Sequence, residues 1–164
     1  DLKKLGVMYN AGEVNSVSNV KRLKAAAVER NITIIDAPVT NSADVYQAAQ
    51  SLVGKVEAIY VPTDNTVVSA IEAVVKICER TQLPLFSADT DSVERGAIAA
   101  LGFDYYLHGK QTGAMARKIL TGSKPEDLPV EFQKDLSFHI NPKAAERMGL
   151  VIDKATLDSA DTLH

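Results

Sequence analysis

Short apolar runs alternate along the chain with clusters of Asn, Asp, Ser and Thr and with amphipathic stretches. The clearest instance is centred on Ala58–Val61, an apolar, β-branched and aromatic run with the length of a buried strand. Pro62 ends this run, because proline cannot donate a hydrogen bond to a neighbouring strand. Four polar residues, 63–66, follow, and apolar residues then recur at helical spacing from Val67 to Cys78. We therefore predict a strand, a polar loop and a helix, in that order.

The same plan recurs along the first two thirds of the chain. Strands are predicted at residues 5–9, 32–39, 58–61 and 83–88, with a fifth at 97–103. Strands that alternate with helices are joined by right-handed crossovers and form a parallel sheet. We predict an α/β fold, a doubly wound parallel sheet with the strand order 2-1-3-4-5.

The pattern changes after residue 104. The predicted elements are a helix at 109–120, a loop at 122–129, an extended or edge strand at 130–141 and a short helix at 142–148. One side of the first helix carries Met115, Ala116, Ile119 and Leu120. The remaining residues are polar and are expected to pack loosely. This segment does not extend the repeat and needs a separate explanation.

Length and composition limit the function classes. A chain of 164 residues is expected to form one domain. The net charge of −3 gives no electrostatic footprint for nucleic acid, so no nucleic-acid partner is expected. No apolar run approaches the ~20 residues of a membrane-spanning helix, and no signal peptide is recognised within this stretch. A single cysteine excludes an internal disulfide and a cysteine-rich metal site.

The sequence does not indicate catalysis, a cofactor or a metal. Three histidines, His108, His139 and His164, lie in unrelated segments without metal-ligand spacing. Cys78 lies on the apolar side of a predicted helix and is interpreted as a core residue. The glycines at 96 and 102 lack the spacing of a dinucleotide-binding loop. Phospho-accepting domains of this layered plan have an acidic pair after the first strand, where this chain has Tyr9 and Asn10.

Binding of a small ligand fits the predicted topology better. In the order 2-1-3-4-5 the strand order reverses between the first and third strands, so the loops after the first, third and fourth strands line one crevice. The candidate ligand-binding residues in these loops are Asn15, Ser16, Thr63, Asp64, Asn65, Thr66 and Asp89. The alternative is that these side chains only cap helices. Asn41 and Ser42 lie to the side and are interpreted as caps. Asp64, Asn65 and Asp89 exceed one cap per helix and are interpreted as functional.

Several motifs resemble a known family. They are Tyr9-Asn10 with Gly12-Glu13 and Asn15-Ser16, Tyr60-Val61-Pro62-Thr63-Asp64-Asn65-Thr66-Val67, Glu94-Arg95-Gly96-Ala97, Gly102-Phe103-Asp104-Tyr105-Tyr106 with Gly109 and Gln111-Thr112-Gly113, Leu128-Pro129-Val130-Glu131 and Asn141-Pro142-Lys143-Ala144-Ala145. Together they resemble the ABC-transporter substrate-binding proteins of the type I, two-lobed periplasmic-binding-protein class. The similarity extends over essentially the whole chain. It is greatest to the branch linked to the uptake of amino acids, aromatic ones among them.

The resemblance implies that the chain is the C-terminal half of such a protein. Residues 1–104 would form the ligand-binding lobe. Residues 105–164 would hold the hinge crossing, a helix that belongs to the other lobe, and a return strand with a C-terminal helix. The helix side with Met115 and Leu120 would then be exposed in this chain alone, and self-association is expected.

The resemblance also implies a site, partners and a location. The ligand-binding residues would be those named above, with Tyr105 added at the hinge. The partners would be a small solute, an amino acid, and the membrane permease of an ABC importer, and the location would be extracytoplasmic. The alternative is the effector-binding domain of a transcriptional regulator with the same two-lobed fold. An upstream helix-turn-helix would indicate the regulator, and an upstream signal or lipoprotein sequence would indicate the receptor.

Overall fold

The computed structural model of the chain describes residues 2–133 and 135–164, which form one seven-stranded sheet with flanking helices. The strands are β1 (Lys4–Asn10), β2 (Thr33–Val39), β3 (Ala58–Val61), β4 (Leu85–Ser87), β5 (Ala99–Phe103), β6 (Leu136–Ile140) and β7 (Thr162–Leu163). The helices are α1 (Val14–Glu29), α2 (Val45–Leu52), α3 (Asn65–Ser69), α4 (Ile71–Thr81), α5 (Asp91–Glu94), α6 (Tyr105–Leu120), α7 (Pro142–Arg147) and α8 (Lys154–Asp158). Short 3₁₀ turns lie at Ser42–Asp44 and Pro125–Asp127.

The strand order is β2-β1-β3-β4-β5-β6-β7. Strands β1 to β5 pair in parallel, whereas β6 runs antiparallel to β5 and β7 runs parallel to β6. The predicted α/β fold and its order 2-1-3-4-5 are therefore confirmed for the first five strands. Leu5 pairs with Ala58 and Ile59 pairs with Leu85, so the carboxyl ends of β1, β3 and β4 lie at one edge of the sheet.

The main core lies between the sheet and the helices α2, α4 and α7. Met8, Ile59 and Leu85 enter it from the sheet, and Ile77 enters it from α4. Helix α1 packs against β1 and β2 and buries residues outside this cluster, as expected when right-handed crossovers place helices on both faces. None of the helices in the described part of the chain is long and apolar enough to span a membrane.

Several boundaries differ from the prediction for local reasons. Strand β4 is shorter than residues 83–88 and begins after Pro84. The single helix predicted after β3 is two helices, α3 and α4, because Ala70 leaves the helical region with φ −121° and ψ 28°. The helix predicted at 109–120 begins earlier, at Tyr105. Its start is capped by Asp104, whose side chain accepts hydrogen bonds from the backbone N of Tyr106 (2.7 Å) and Leu107 (3.0 Å).

The expectation that the last residues pack loosely is wrong. Helix α8 and strand β7 follow α7, and β7 pairs with β6. The backbone N of His164 donates to the carbonyl of Ile140 at 2.9 Å, and that of Asp161 donates to Phe138 at 2.8 Å. This pairing supplies β6 with a neighbour along an edge that would otherwise expose its backbone groups. The extended segment predicted at 130–141 is a strand only over β6, and Lys134 within it lies outside the described residues.

Candidate functional site

A cavity of about 210 Å³ opens where the carboxyl ends of the parallel strands meet. Its lining residues are Thr63, Asp64, Asn65, Val68, Ser69, Asp89 and Tyr105. Five of the eight predicted site residues therefore lie together, although they come from three separate segments of the chain. The other three are Asn15, Ser16 and Thr66. Asn15 and Ser16 contact the loop that forms the cavity wall, and Thr66 follows that loop and donates to Glu13.

Asp64 is buried, and both oxygens of its carboxylate accept short internal hydrogen bonds. Oδ1 accepts a hydrogen bond from the backbone N of Val67 at 2.8 Å, which makes Asp64 the N-cap of α3. Oδ2 accepts from the backbone N of Asn10 and from the hydroxyl of Ser16, both at 2.6 Å. The interpretation of Asp64 as a group beyond the cap is wrong, because Asp64 is itself the cap. Its remaining capacity to bind a ligand is small.

The three predicted residues outside the cavity act on the same loop. Asn15 donates through Nδ2 to the carbonyl of Thr63 at 3.0 Å. The hydroxyl of Thr66 accepts a hydrogen bond from Asn10 Nδ2 at 2.7 Å and donates to Glu13 Oε1 at 2.8 Å. These contacts hold the loop after β3 and the first turn of α3 against the segment after β1.

Asp89 also accepts three hydrogen bonds, but one of them is long. The residue is 5% exposed. Oδ2 accepts hydrogen bonds from the backbone N and the hydroxyl of Ser92, at 2.9 and 2.6 Å. Oδ1 accepts a long hydrogen bond, 3.3 Å, from the hydroxyl of Tyr105. Within the described residues Oδ1 has no other protein donor, so a carboxylate oxygen at the cavity retains the capacity to accept from a ligand.

Tyr105 forms the other side of the cavity. Its ring packs edge-on against Phe103, with centroids 4.8 Å apart, and 48% of the residue is exposed. Partial burial and the neighbouring charge of Asp89 raise the pKa of Tyr105 above its usual value. The phenol therefore stays protonated at neutral pH and donates to the carboxylate, while its ring presents an aromatic surface to the cavity.

Sequence reasoning did not include Glu13 and Asn10 among the site residues. Glu13 accepts hydrogen bonds from the backbone and side chains of Asn65 and Thr66, which lie 52 and 53 residues further along the chain. Partial burial acts to raise the pKa of Glu13, but these hydrogen bonds outweigh it and hold the pKa below its usual value. Both residues lie in the sequence motif after the first strand, and this motif could have pointed to them.

Groups outside this edge have other roles. Asn41 caps the 3₁₀ turn at Ser42–Asp44, as predicted for a residue to the side of the crevice. Burial raises the pKa of the Cys78 thiol to about 12, which suits a core residue and not a nucleophile. Among the described residues, no group of three or more His, Cys, Asp or Glu side chains could hold a metal ion.

A larger cavity of about 510 Å³ is apolar, and it lies near the amino ends of β1, β3 and β4.

The chain is similar to curated proteins of about twice its length. It is 37% identical over 139 residues to a tyrosine-binding protein of Clostridioides difficile (strain R20291), an alignment that covers 85% of this chain and 40% of the relative. It is 29% identical over 143 residues to the uncharacterized protein RP367 of Rickettsia prowazekii (strain Madrid E), covering 87% of this chain and 47% of the relative. The chain therefore spans about half the length of the curated relatives it matches.

The chain is also similar to solved structures, of which it spans about half the length. A conserved domain protein from Vibrio cholerae superposes with a TM-score of 0.96 at 42% identity, over 100% of this chain and 55% of that one. An ABC domain from Streptococcus pneumoniae, solved in complex with L-Trp, superposes with a TM-score of 0.93 at 31% identity, over 99% of this chain and 55% of that one. The family model described as ABC transporter substrate binding protein matches residues 1–164. The chain belongs to this family.

Proposed function

We propose that this chain is the C-terminal lobe of the solute-binding receptor of an ABC importer. The receptor binds an amino acid in the cleft between two lobes and delivers it unchanged to a membrane permease. Residues 1–104 form the lobe, and residues 105–164 hold the hinge crossing, a helix for the other lobe and the return to this one. The receptor acts outside the cytoplasm, in the periplasm or anchored to the cell surface, as is typical of its family.

The observation that carries this proposal is the free acceptor capacity of Asp89. Its carboxylate is buried and oriented by Ser92, and Oδ1 is left with one long hydrogen bond at the cavity. An ammonium group supplies donors and a positive charge, and hydrogen bonds between charged partners are stronger than neutral ones. A positively charged amino group therefore suits this oxygen.

The cavity also suits an aromatic side chain. The half-exposed ring of Tyr105, braced by Phe103, offers a surface against which another ring can pack edge-on or offset. Of the similar proteins, one is a tyrosine-binding protein and another was solved in complex with L-Trp. Both observations favour aromatic amino acids as the first solutes to test.

Binding without conversion is favoured over catalysis. Asp89 and Tyr105 are the titratable groups best placed at the cavity, and they are hydrogen-bonded to each other. Tyr105 keeps its proton at neutral pH because its pKa is raised by burial and by Asp89, so it is a poor general base. The family and the relatives' names also favour the transport receptor over the effector-binding domain of a regulator.

Calorimetry on the two-lobed protein, meaning the full-length receptor proposed to contain this chain, tests the proposal. We expect one aromatic L-amino acid to bind in the micromolar range, and this chain alone to bind it only in the millimolar range. Half of a binding free energy of about −8.2 kcal/mol corresponds to a Kd near 1 mM. The substitution Asp89→Asn removes the negative charge and should weaken binding by roughly 1.5–3 kcal/mol, the contribution of a hydrogen bond to a charged group.

Asp153→Asn is the matched control. Asp153 also accepts hydrogen bonds from the backbone N and the hydroxyl of a residue three positions later, Thr156, one on each carboxylate oxygen, but it lies at the start of α8. Asp153→Asn should leave the Kd unchanged. Micromolar binding by this chain alone, or equal affinities in Asp89→Asn and Asp153→Asn, would place the site elsewhere.

A further inference from the structure

A network of hydrogen bonds joins the segment after β1 to the segment after β3. At its centre is Glu13, whose Oε2 accepts hydrogen bonds from the backbone N of Asn65 (3.1 Å) and from Asn65 Nδ2 (2.8 Å). Its Oε1 accepts from the backbone N of Thr66 (3.1 Å) and from Thr66 Oγ1 (2.8 Å). One carboxylate therefore fixes the backbone and the side chains of two consecutive residues, and the first of them lines the cavity.

Two further residues hold the same segment. Asn10 donates through Nδ2 to Thr66 Oγ1 at 2.7 Å, and its backbone N donates to Asp64 Oδ2 at 2.6 Å. Asp64 in turn caps α3 through Val67. Asn65 and Thr66 therefore cannot change conformation without breaking several hydrogen bonds at once.

We infer that Glu13 is a positioning residue for the solute site: it fixes Asn65 and the cavity wall at residues 63–65, and it does not itself contact the solute. This inference rests on the proposed function, because that proposal makes the cavity the solute site. The four donors from Asn65 and Thr66 already occupy both carboxylate oxygens of Glu13. Asp89, by contrast, keeps an oxygen with capacity for a ligand.

The charge state of Glu13 supports this role. Partial burial acts to raise its pKa, but the hydrogen bonds from Asn65 and Thr66 prevail and keep the pKa below the usual value. Glu13 is therefore an anion at neutral pH. Hydrogen bonds to an ionised acceptor are shorter and stronger than neutral ones, so the anion holds the segment more firmly than an amide would.

The substitution Glu13→Gln tests this with a near-isosteric side chain. A glutamine presents one acceptor oxygen and one NH₂ donor, so one of the two residues, Asn65 or Thr66, faces a donor where it needs an acceptor. Glu57→Gln is the matched control. Glu57 also accepts two backbone hydrogen bonds, from Lys3 N (2.5 Å) and Lys4 N (3.0 Å), but at the opposite end of β1.

The first measurement is the Kd of L-tyrosine and L-tryptophan, taken by calorimetry on the two-lobed protein. We expect Glu13→Gln to raise the Kd about fivefold to tenfold, as when one or two hydrogen bonds that hold a contact residue are lost. Glu57→Gln should leave the Kd unchanged. The two variants should have similar thermal stability, so that the difference in Kd reports on positioning and not on folding.

The second measurement is independent of any solute. It follows amide resonances against pH in the ligand-free two-lobed protein. The resonances of the backbone amides of Asn65 and Thr66 and of the side-chain amide of Asn65 should shift together as Glu13 takes up a proton. The midpoint of this titration should lie below the ordinary value for a glutamate, because the hydrogen bonds from Asn65 and Thr66 lower the pKa of Glu13, and the titration should be absent in Glu13→Gln.

Solute binding by the wild type with an unchanged Kd in Glu13→Gln would overturn the inference and leave the proposed function intact. A wild type that binds neither amino acid would instead remove aromatic amino acids as the proposed solutes. The amide titration then decides whether Glu13 fixes Asn65, and its absence from the wild type overturns the inference as well.

Discussion

Helices α4 and α6 both carry apolar side chains at helical spacing but occupy opposite environments. Over its 11 residues α4 buries Ile71, Val74, Val75, Ile77 and Cys78. Over its 16 residues α6, all of which the structure describes, has no buried residue. Large apolar side chains remain exposed there, among them Tyr106, Leu107, Ile119 and Leu120. Helix α4 thus packs in the main core, whereas α6 presents an apolar side without a matching surface in the described residues.

The attachment of α6 explains how it can stay in place without being buried. Its first turn is capped by Asp104, and Phe103 packs against Tyr105. Further along, Gln111 and Lys118 contact Glu131. These contacts fix the helix at its start and at two positions along its length, although none of its residues is buried. The arrangement favours the proposal that residues 105–120 pack on another lobe, and self-association of this half stays a prediction.

A pair of isoleucine substitutions should give the largest difference in free energy of unfolding between the two helices. Ile77 in α4 is fully buried, whereas Ile119 in α6 is 41% exposed. Ile77→Ala should lower the free energy of unfolding of this chain by about 2–5 kcal/mol, because it leaves a cavity in the core. Ile119→Ala should change it by less than about 0.5 kcal/mol, as is usual for surface sites. Urea unfolding followed by circular dichroism measures both.

The same pair sharpens the comparison in the two-lobed protein. If α6 packs on the other lobe, Ile119 becomes buried there and Ile119→Ala should cost clearly more than in this chain alone. Equal, small effects in both proteins would show that α6 does not contact the other lobe.

Two glycine substitutions should change the free energy of unfolding by smaller amounts and in opposite directions. A Cβ added at Gly102 in β5 would lie 2.4 Å from the carbonyl oxygen of Ala88, so Gly102→Ala should destabilise by about 1–3 kcal/mol through overpacking. A Cβ at Gly109 in α6 meets nothing within 4 Å. Gly109→Ala should stabilise by about 0.5–1 kcal/mol, the cost of glycine in a helix interior. Thermal unfolding of the two variants checks both signs, and a loss of stability in Gly109→Ala would indicate a hidden contact.

The parallel part of the fold could be predicted because its signals are local. Ala58–Val61 was predicted with the bounds that the structure shows, since the apolar run and Pro62 both mark them. The clustering of Asp89 with residues 63–65 follows from topology, because parallel strands bring their following loops to one edge.

The rest depends on contacts between distant segments. The role of Glu13 rests on partners more than fifty residues away, and no periodicity reveals them. The two residues of β7, Thr162 and Leu163, form a strand only because they pair with the edge of β6. For Asp64, a capping pattern and a binding pattern use the same residue types, so only the hydrogen-bond partners decide between them.

The smallest expected effect concerns the pairing of β7 with β6, through a pair of histidine rings. His139 Nδ1 lies 3.0 Å from His164 Nε2, and His139 Nε2 lies 2.9 Å from Ser137 Oγ. Burial and the neighbouring His164 lower the pKa of His139, while the nearby carboxylates of Asp161, Asp91 and Asp104 act in the opposite direction. The unfolded chain therefore takes up this proton at a higher pH than the folded one.

The contribution of His139 to stability is complete above its unfolded pKa of about 6.5 and is lost as the pH falls through the lower folded value. Since both rings cannot be protonated and remain hydrogen-bonded to each other, we expect acidification to loosen β7 locally before the chain unfolds. The amide resonances of Thr162 and Leu163, followed from pH 8 to pH 5, should shift together in the wild type. They should shift clearly less in His139→Gln, where the ring pair is absent, and equal shifts in the two proteins would show that the ring pair does not hold β7.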